Sequence, residues 1–330
     1  MSTQTIPAQS TKAAEIVSYD PATGAEVGRA PLASPADVRQ AVARARAAQP
    51  AWANLSFRQR ARVILEAREL MLAERDEVAL LVSRETGKPV AEALSMEIVP
   101  TLAAMHYFAH AAETLLRPQK IDIGQYGLMG RSSKILFRPL GVVGIISPWN
   151  FPLATPADEV VMALMAGNAV VLKPSELTPL IGLKIGELFR RAGLPAGLLE
   201  ILVGDGSTGA ALIDARVDKI MFTGSVATGK RVAEAAAKYL TPVVLELGGK
   251  DPMIVLEDAD IKMAARGAVW GAFANSGQAC ASVERCYVQE SIASKFIEQV
   301  VAETRSLKQG IGTAASVDIG AMSNERQLQI

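Results

Sequence analysis

Cysteine is scarce in this chain, with two in 330 residues. That is too few for the disulfide framework of a small secreted domain, so a reducing compartment is the default. Histidine is equally scarce, with two. His106 and His110 are spaced to share a helix face, but Tyr107 stands where the zinc pattern His-Glu-x-x-His needs Glu, and no other ligand cluster is evident, so no metal is expected. Aromatics make up only 5%, and Lys+Arg and Asp+Glu balance at 34 each. No basic stripe or one-signed field is left to attract nucleic acid or an acidic membrane. Long apolar runs are missing as well: Val160 to Leu172 is interrupted by Gly167 and Asn168 and is too short to span a bilayer. The opening residues carry neither the basic stretch and apolar core of a signal peptide nor the arginines of a transit peptide. A cytoplasmic location is the expectation.

What is present is an ordinary globular balance, half hydrophobic and 21% charged. The length suggests two domains, or one plus an appendage. Residues 1–13 are polar and aperiodic and read as a disordered tail. Asp20-Pro21-Ala22-Thr23-Gly24 is a turn signal. Ser34-Pro35-Ala36-Asp37 and Ser56-Phe57-Arg58-Gln59 are helix starts with capping residues, the second followed by Val63, Ile64, Ala67, Leu70 and Met71 at helical spacing. A helix over about 75–86 should stop at Gly87, with Pro89 beyond it. Another covers about 89–115, disturbed at Pro100. From 117 to about 138 apolar residues alternate around Gly124, Gly127 and Gly130, which predicts strands forming a hairpin or arm.

Beyond residue 138 short apolar runs alternate with helices. The runs are Val142–Ile146, Ala169–Leu172, Leu199–Val203, Lys219–Phe222 and Val243–Leu247; the helices lie near 154–166, 178–192, 207–213 and 229–239. Such alternation predicts an α/β fold with a parallel sheet covered by helices on both faces. Ligands of that architecture bind at the C-terminal ends of the strands.

Several segments at those ends carry chemistry. Gly224-Ser225-Val226-Ala227-Thr228-Gly229-Lys230 follows a strand and opens a helix, where backbone N–H groups and the helix dipole favour a phosphate. It suits a dinucleotide pyrophosphate, a nucleotide P-loop whose Mg²⁺ ligand position is occupied by Arg231, or simply a tight strand-to-helix turn. Lys173 and Glu176, in Leu172-Lys173-Pro174-Ser175-Glu176, could hold the two hydroxyls of an adenosine ribose, the acid repelling a 2′-phosphate; they could equally be a solvated surface pair. Cys280 lies among small residues in Gly277-Gln278-Ala279-Cys280-Ala281-Ser282, with room for an electrophile, though a free cysteine is more often a small buried hydrophobe, the reading given to Cys286. Glu246, at the close of an apolar run, is expected to be partly desolvated and so suited to act as a general base. Asn150, in Pro148-Trp149-Asn150-Phe151-Pro152, offers an amide to a developing oxyanion.

In order along the chain, these segments resemble the aldehyde dehydrogenase superfamily. The likeness is carried by Pro139-Leu140-Gly141-Val142-Val143-Gly144, the Pro-Trp-Asn-Phe-Pro run, Ala166-Gly167-Asn168 with Leu172 to Glu176, Phe222-Thr223-Gly224-Ser225, Leu245-Glu246-Leu247-Gly248-Gly249-Lys250 and Gly277 to Cys280. The resemblance implies an aldehyde-dehydrogenase-like fold: a Rossmann-type dinucleotide-binding domain over 14–116 and 138–247, an oligomerisation arm over 117–137 and an incomplete catalytic domain over 248–330. It implies NAD as cofactor, an aldehyde as substrate and a homo-oligomer as the family's habit. Cys280 would be the nucleophile, forming first a thiohemiacetal and then a thioester. Asn150 and the backbone N–H of Cys280 would hold the oxyanion, and Glu246 would activate water. Lys173 and Glu176 would hold the ribose and Ser225 the pyrophosphate, with Ser147, Pro148, Trp149, Ser175, Gly224 and Leu247 also along the cofactor. Glu246 favours release of a free acid over transfer to coenzyme A.

Two departures stand out. Glu159 occupies a position where many family members have Lys. The resemblance also implies a truncated form, lacking the Glu-x-Phe-Gly segment that holds the nicotinamide ribose and the final oligomer-pairing strand. Three readings therefore stay open: an NAD-dependent hydrolytic aldehyde dehydrogenase, an inactive NAD-binding fragment, and a P-loop-like nucleotide-binding protein.

Overall fold

The computed structural model describes residues 14–329, so the expected tail at 1–13 lies outside the described residues. Strands β1 (Glu15–Tyr19) and β2 (Glu26–Pro31) form an antiparallel pair. The Asp20 carboxylate accepts from the Ala22 N–H at 2.8 Å to close the turn between them. Helices α1 (Pro35–Ala53) and α2 (Phe57–Ala73) start at the expected Ser34/Asp37 and Ser56/Gln59 capping boxes. Helix α3 (Arg75–Thr86) stops at Gly87, whose φ of 83° is the left-handed stop the sequence suggested.

The next helix departs from expectation in an informative way. It is not broken at Pro100. A turn of α-helix, α4 (Val90–Glu92), runs into a π-turn (Ala93–Ile98) and then α5 (Val99–Leu115). Pro100 falls in the first turn of α5, where a missing N–H costs no α-helical bond. The disturbance is instead the wide turn just before it, in which the Val99 N–H donates to the Leu94 carbonyl five residues back.

The arm is also less regular than predicted. Only β3 (Gln119–Ile121) and β4 (Ser133–Ile135) pair, antiparallel, with the short helix α6 (Gln125–Leu128) between them. Gly124 and Gly130 both have positive φ, and the Asp122 carboxylate accepts from the Gly124 N–H, so the chain turns where alternation predicted continued strand. Tyr126 and Leu128 stay exposed, so no buried face enforced that alternation.

The remainder of the first region alternates as predicted: β5 (Val142–Ile146), α7 (Ala154–Met165), β6 (Ala169–Lys173), α8 (Pro179–Arg191), β7 (Leu199–Ile201), α9 (Gly206–Asp214), β8 (Lys219–Thr223), α10 (Val226–Ala237) and β9 (Val243–Glu246). All four pairings are parallel and the strand order is β7-β6-β5-β8-β9. Strands β5 and β6 are buried at every residue, as sheets with helices on both faces require. The order reverses between β5 and β8, the point at whose C-terminal strand ends ligands of this architecture bind.

A second, smaller unit follows. Strands β10 (Asp251–Val255) and β11 (Val283–Val288) pair in parallel, joined through α11 (Ile261–Phe273) and a tight turn at Ala274–Gly277; α12 (Glu290–Ser306) and the short α13 (Glu325–Leu328) complete it. Its own core is Val255, Ala265, Ala268 and Phe296. Among the described residues no helix is long and apolar enough to cross a membrane.

Candidate active site

Ser147, Pro148 and Trp149 leave β5, Thr223 to Ser225 leave β8, Lys173 ends β6 and Glu246 ends β9, so four strand ends deliver their residues to one edge of the sheet. Ser147 is buried and its hydroxyl has no protein partner, as expected of a group set aside for a ligand. Lys173 is buried and its ammonium lies 3.1 Å from the exposed Glu176 carboxylate, so the two form an ion pair at the end of β6. Ser175 is buried behind them, its hydroxyl accepting from the Leu177 N–H. Ser225 is the N-cap of α10 and accepts from the Thr228 N–H at 3.3 Å.

The start of that helix removes the P-loop reading. Helix α10 begins at Val226, so Gly229 and Lys230 lie within it rather than closing a phosphate loop. A β-carbon on Gly229 would lie 2.6 Å from Leu247 Cδ2; the glycine lets the helix sit close on the segment after β9. Gly224 donates its N–H to the Glu246 carbonyl at 3.0 Å, fastening β8's exit to β9's.

Cys280 is exposed. Its loop is built from an unusual turn: Asn275, Ser276 and Gly277 have φ of 53°, 58° and 75°, three consecutive left-handed residues of which two are not glycine. Side chains hold that turn. The Asn275 N–H donates to the Glu92 carboxylate, its amide donates to the Gln278 and Asn150 carbonyls, and the Gln278 amide donates back to the Asn275 carbonyl. The Ser276 hydroxyl donates to the Gly320 carbonyl. Asn150 enters the same cluster, its Nδ2 donating to the Gln278 carbonyl at 2.8 Å. The amide expected to serve an oxyanion thus lies beside the backbone leading into Cys280. From the other side, a β-carbon on Gly249 would lie 3.7 Å from the Cys280 carbonyl oxygen, so the chain following Glu246 reaches the same loop.

Glu246 differs from expectation. It is exposed, because β9 is an edge strand whose end faces solvent rather than a covered pocket. The desolvated carboxylate is Glu159 on α7, 5% exposed. Burial pushes its pKa up to about 8, with Glu246 and Asp158 as like charges adding to the rise. The Thr223 hydroxyl donates to one Glu159 oxygen at 3.4 Å while the other is buried without a partner. Asp158 is likewise pushed by burial to about 7. Nothing in the pattern of α7 beyond the resemblance marked Glu159.

Sequence reasoning also missed Lys88, Glu97, Glu92, Asn275 and the role of Gln278. Lys88 lies unremarked between the stop-signal residues Gly87 and Pro89, and Glu97 within the helix expected over about 89–115. His106 and His110 lie on α5, where the His110 ring bonds the His106 carbonyl; among the described residues no group of three or more His, Cys, Asp or Glu is arranged to hold a metal.

With this geometry in place, comparison with known proteins decides the relationship. The model of the aldehyde dehydrogenase family matches residues 8–330. The chain belongs to this family. Among curated aldehyde dehydrogenase relatives, the 4,4′-diapolycopene aldehyde oxidase of Methylomonas sp. is 40% identical over 315 residues, which are 96% of this chain and 59% of that protein. Among solved structures, the NAD+ complex of an aldehyde dehydrogenase from Bacillus cereus superposes with TM-score 0.90 at 34% identity, covering 96% of this chain and 64% of that one. An NADP-dependent enzyme of E. coli gives TM-score 0.91 at 34% identity over 96% of this chain and 65% of its own. This aldehyde dehydrogenase chain therefore spans about three-fifths of the curated relative it matches. Within it, the motif turn Gly167-Asn168 serves the fold, since the Asn168 side chain accepts from the Leu140 and Gly141 N–H groups and so sets the entry to β5.

Proposed function

We propose that this chain carries the nucleophile and the cofactor cradle of an NAD-dependent aldehyde-oxidising site. The single observation that carries the reading is the bond from the Asn150 amide to the Gln278 carbonyl, which joins the strand-end turn to the cysteine loop. An amide nitrogen has two donors, so this bond leaves one for an oxyanion. The Cys280 thiolate attacks the aldehyde carbon, and the carbonyl oxygen takes the electron pair under the Asn150 amide and the Cys280 N–H. Bound at the strand ends, the oxidised nicotinamide supplies the acceptor for the hydride that leaves the thiohemiacetal. The thioester on Cys280 is then hydrolysed by a water that Glu246 deprotonates, releasing the acid. Exposure of Glu246 gives that water a direct route from solvent. Lys173 and Glu176 would hold the adenosine ribose, and the N-terminus of α10 at Gly224 and Ser225 the pyrophosphate. Ser147, Pro148, Trp149, Ser175 and Leu247 would line the cradle.

We assign dinucleotide binding to 14–116 with 138–247, pairing between copies to the arm at 117–137, and the nucleophile's domain to 248–330, in a cytoplasmic enzyme acting on a small-molecule aldehyde. The test is NADH formation from aldehydes, and its loss in Cys280→Ala; undiminished turnover in that variant would end the proposal. NAD should be preferred over NADP, and Glu176→Gln should narrow the preference roughly fivefold, the effect of about 1 kcal/mol of charge repulsion near solvent. An unchanged ratio would remove Glu176 from the ribose site.

A further inference from the structure

Lys88 and Glu97 form an ion pair of 2.5 Å with both side chains fully buried. Taking two charges out of water costs several kcal/mol per ion before their attraction offsets it, so such a pair is a poor device for stability alone. Its bonds all converge on one turn. The Lys88 ammonium donates to the Asn150 carbonyl at 2.8 Å and lies 4.2 Å from the centre of the Phe151 ring. The second Glu97 oxygen accepts from the Leu153 and Ala154 N–H groups at 2.8 and 3.1 Å, at the start of α7. The pair thus grips residues 150 to 154 at both ends.

The backbone is shaped to deliver both charges. Glu97 lies in the π-turn, and wide turns of this kind concentrate at functional sites. Lys88 follows Gly87, against which the chain at Gly320 packs so closely that a β-carbon there would lie 1.9 Å from the Gly87 carbonyl oxygen. The Ala321 N–H donates to that same oxygen. Asn275 completes the hold by donating to the Asn150 carbonyl beside Lys88.

We infer that Lys88 and Glu97 are positioning residues that fix the Asn150 amide against the cysteine loop and so set the oxyanion donor. The inference rests on the reading of Cys280 as nucleophile and Asn150 as donor.

Two reactions of Cys280 separate the effects. Acetylation by p-nitrophenyl acetate forms the S–C bond and expels p-nitrophenolate through a tetrahedral oxyanion. Alkylation by iodoacetamide forms an S–C bond and expels iodide with no oxyanion. Both are followed at Cys280 by peptide mass in the full chain. Lys88→Met should lower acetylation about tenfold, less than the hundredfold or more of losing a donor outright, with alkylation within about twofold. Because Lys88→Met removes the cation beside the buried Glu97 carboxyl, Lys88→Met/Glu97→Gln is made as well and should show the same split. Glu85→Gln is the structural control, since that buried carboxylate caps α8 at Leu180 and Ile181; it should change stability and leave the ratio of the two rates alone. Equal changes in both rates, or none, in a folded double variant would overturn the inference. Failure of the unsubstituted chain to acetylate at Cys280 would instead overturn the underlying reading, and this inference with it.

Discussion

Between Val142 and Glu246, five parallel strands are packed on both faces, and their core runs on into the helices from α1 to α10. Between Asp251 and Ser306, two strands pair and the separate apolar core is small, made of Val255, Ala265, Ala268 and Phe296. Ile254, Leu256, Met263, Trp270, Tyr287 and Ile297 are exposed there. The first region contains its own stabilisation; the second leans on the first. Its most conformationally strained segment, Asn275 to Gly277, is held by Glu92 and by Gly320 rather than by its own sheet. The Cys280 loop is therefore shaped in part by residues of the first region, whereas the proposed cofactor cradle is shaped by the strands that carry it.

The largest expected effect separates these regions by the work each does. Cys280→Ala should abolish acetylation, more than about a thousandfold, while NAD binding followed by fluorescence titration stays within twofold. Lys173→Met should do the reverse, weakening NAD binding about tenfold or more with Cys280 still alkylated at the normal rate. Parallel losses in both assays for both variants would mean that the regions do not divide the work. Next comes stability. Leu172→Ala in the sheet and Phe296→Ala in the smaller unit should each cost about 3–5 kcal/mol. They should differ in where hydrogen exchange accelerates. Phe296→Ala should release amides of β10 and β11 and leave β5 and β6 protected, whereas Leu172→Ala should release all four. Equal loss of protection everywhere in Phe296→Ala would show one cooperative unit.

How much was legible follows the same division. Continuous apolar runs such as Val142–Ile146 and Ala169–Leu172 identified the sheet because a strand buried on both faces has no other composition available. Serines followed three residues later by Asp or Gln marked two helix starts because the bonds are local. The residues around Cys280 were only half legible. Its small neighbours, and the resemblance, singled it out, but Lys88, Glu92 and Glu97 act from a segment far away in sequence, through bonds that no local pattern encodes. The π-turn was equally hidden, since an extra residue in a helix leaves no mark on apolar spacing over a single turn. Glu246 was misjudged because the run before it was read as fully covered, when β9 lies at the sheet's edge.

Glu159 sharpens the comparison from inside the first region, where Thr223 and Glu246 are its neighbours. Its folded pKa, about 8, is above the ordinary 4.5. Its contribution to stability is therefore complete below pH 4.5 and is lost as pH rises through about 8. Glu159→Gln, uncharged at every pH, should lack this loss. Relative to the parent, the variant should gain on the order of 3 kcal/mol between about pH 5 and pH 9 in urea midpoints. A difference between the two proteins that does not vary with pH would mean that Glu159 is already ionised near the acid end of that range.

The smallest effect tests whether a strand-end residue does two things at once. Ser225 caps α10 through Thr228, and the pyrophosphate is proposed for the same helix start. Ser225→Ala should cost about 1 kcal/mol of stability through the lost cap. Ser225→Asp keeps a capping oxygen and adds a charge that the helix dipole favours, so stability should hold or rise by a few tenths of a kcal/mol. That charge would meet a phosphate, however, and NAD affinity should fall several-fold. Calorimetry of both variants, with and without NAD, distinguishes the roles. If Ser225→Asp binds NAD as well as the parent, the helix start serves only the fold, and the cradle must be built from the ends of β5 and β6 alone.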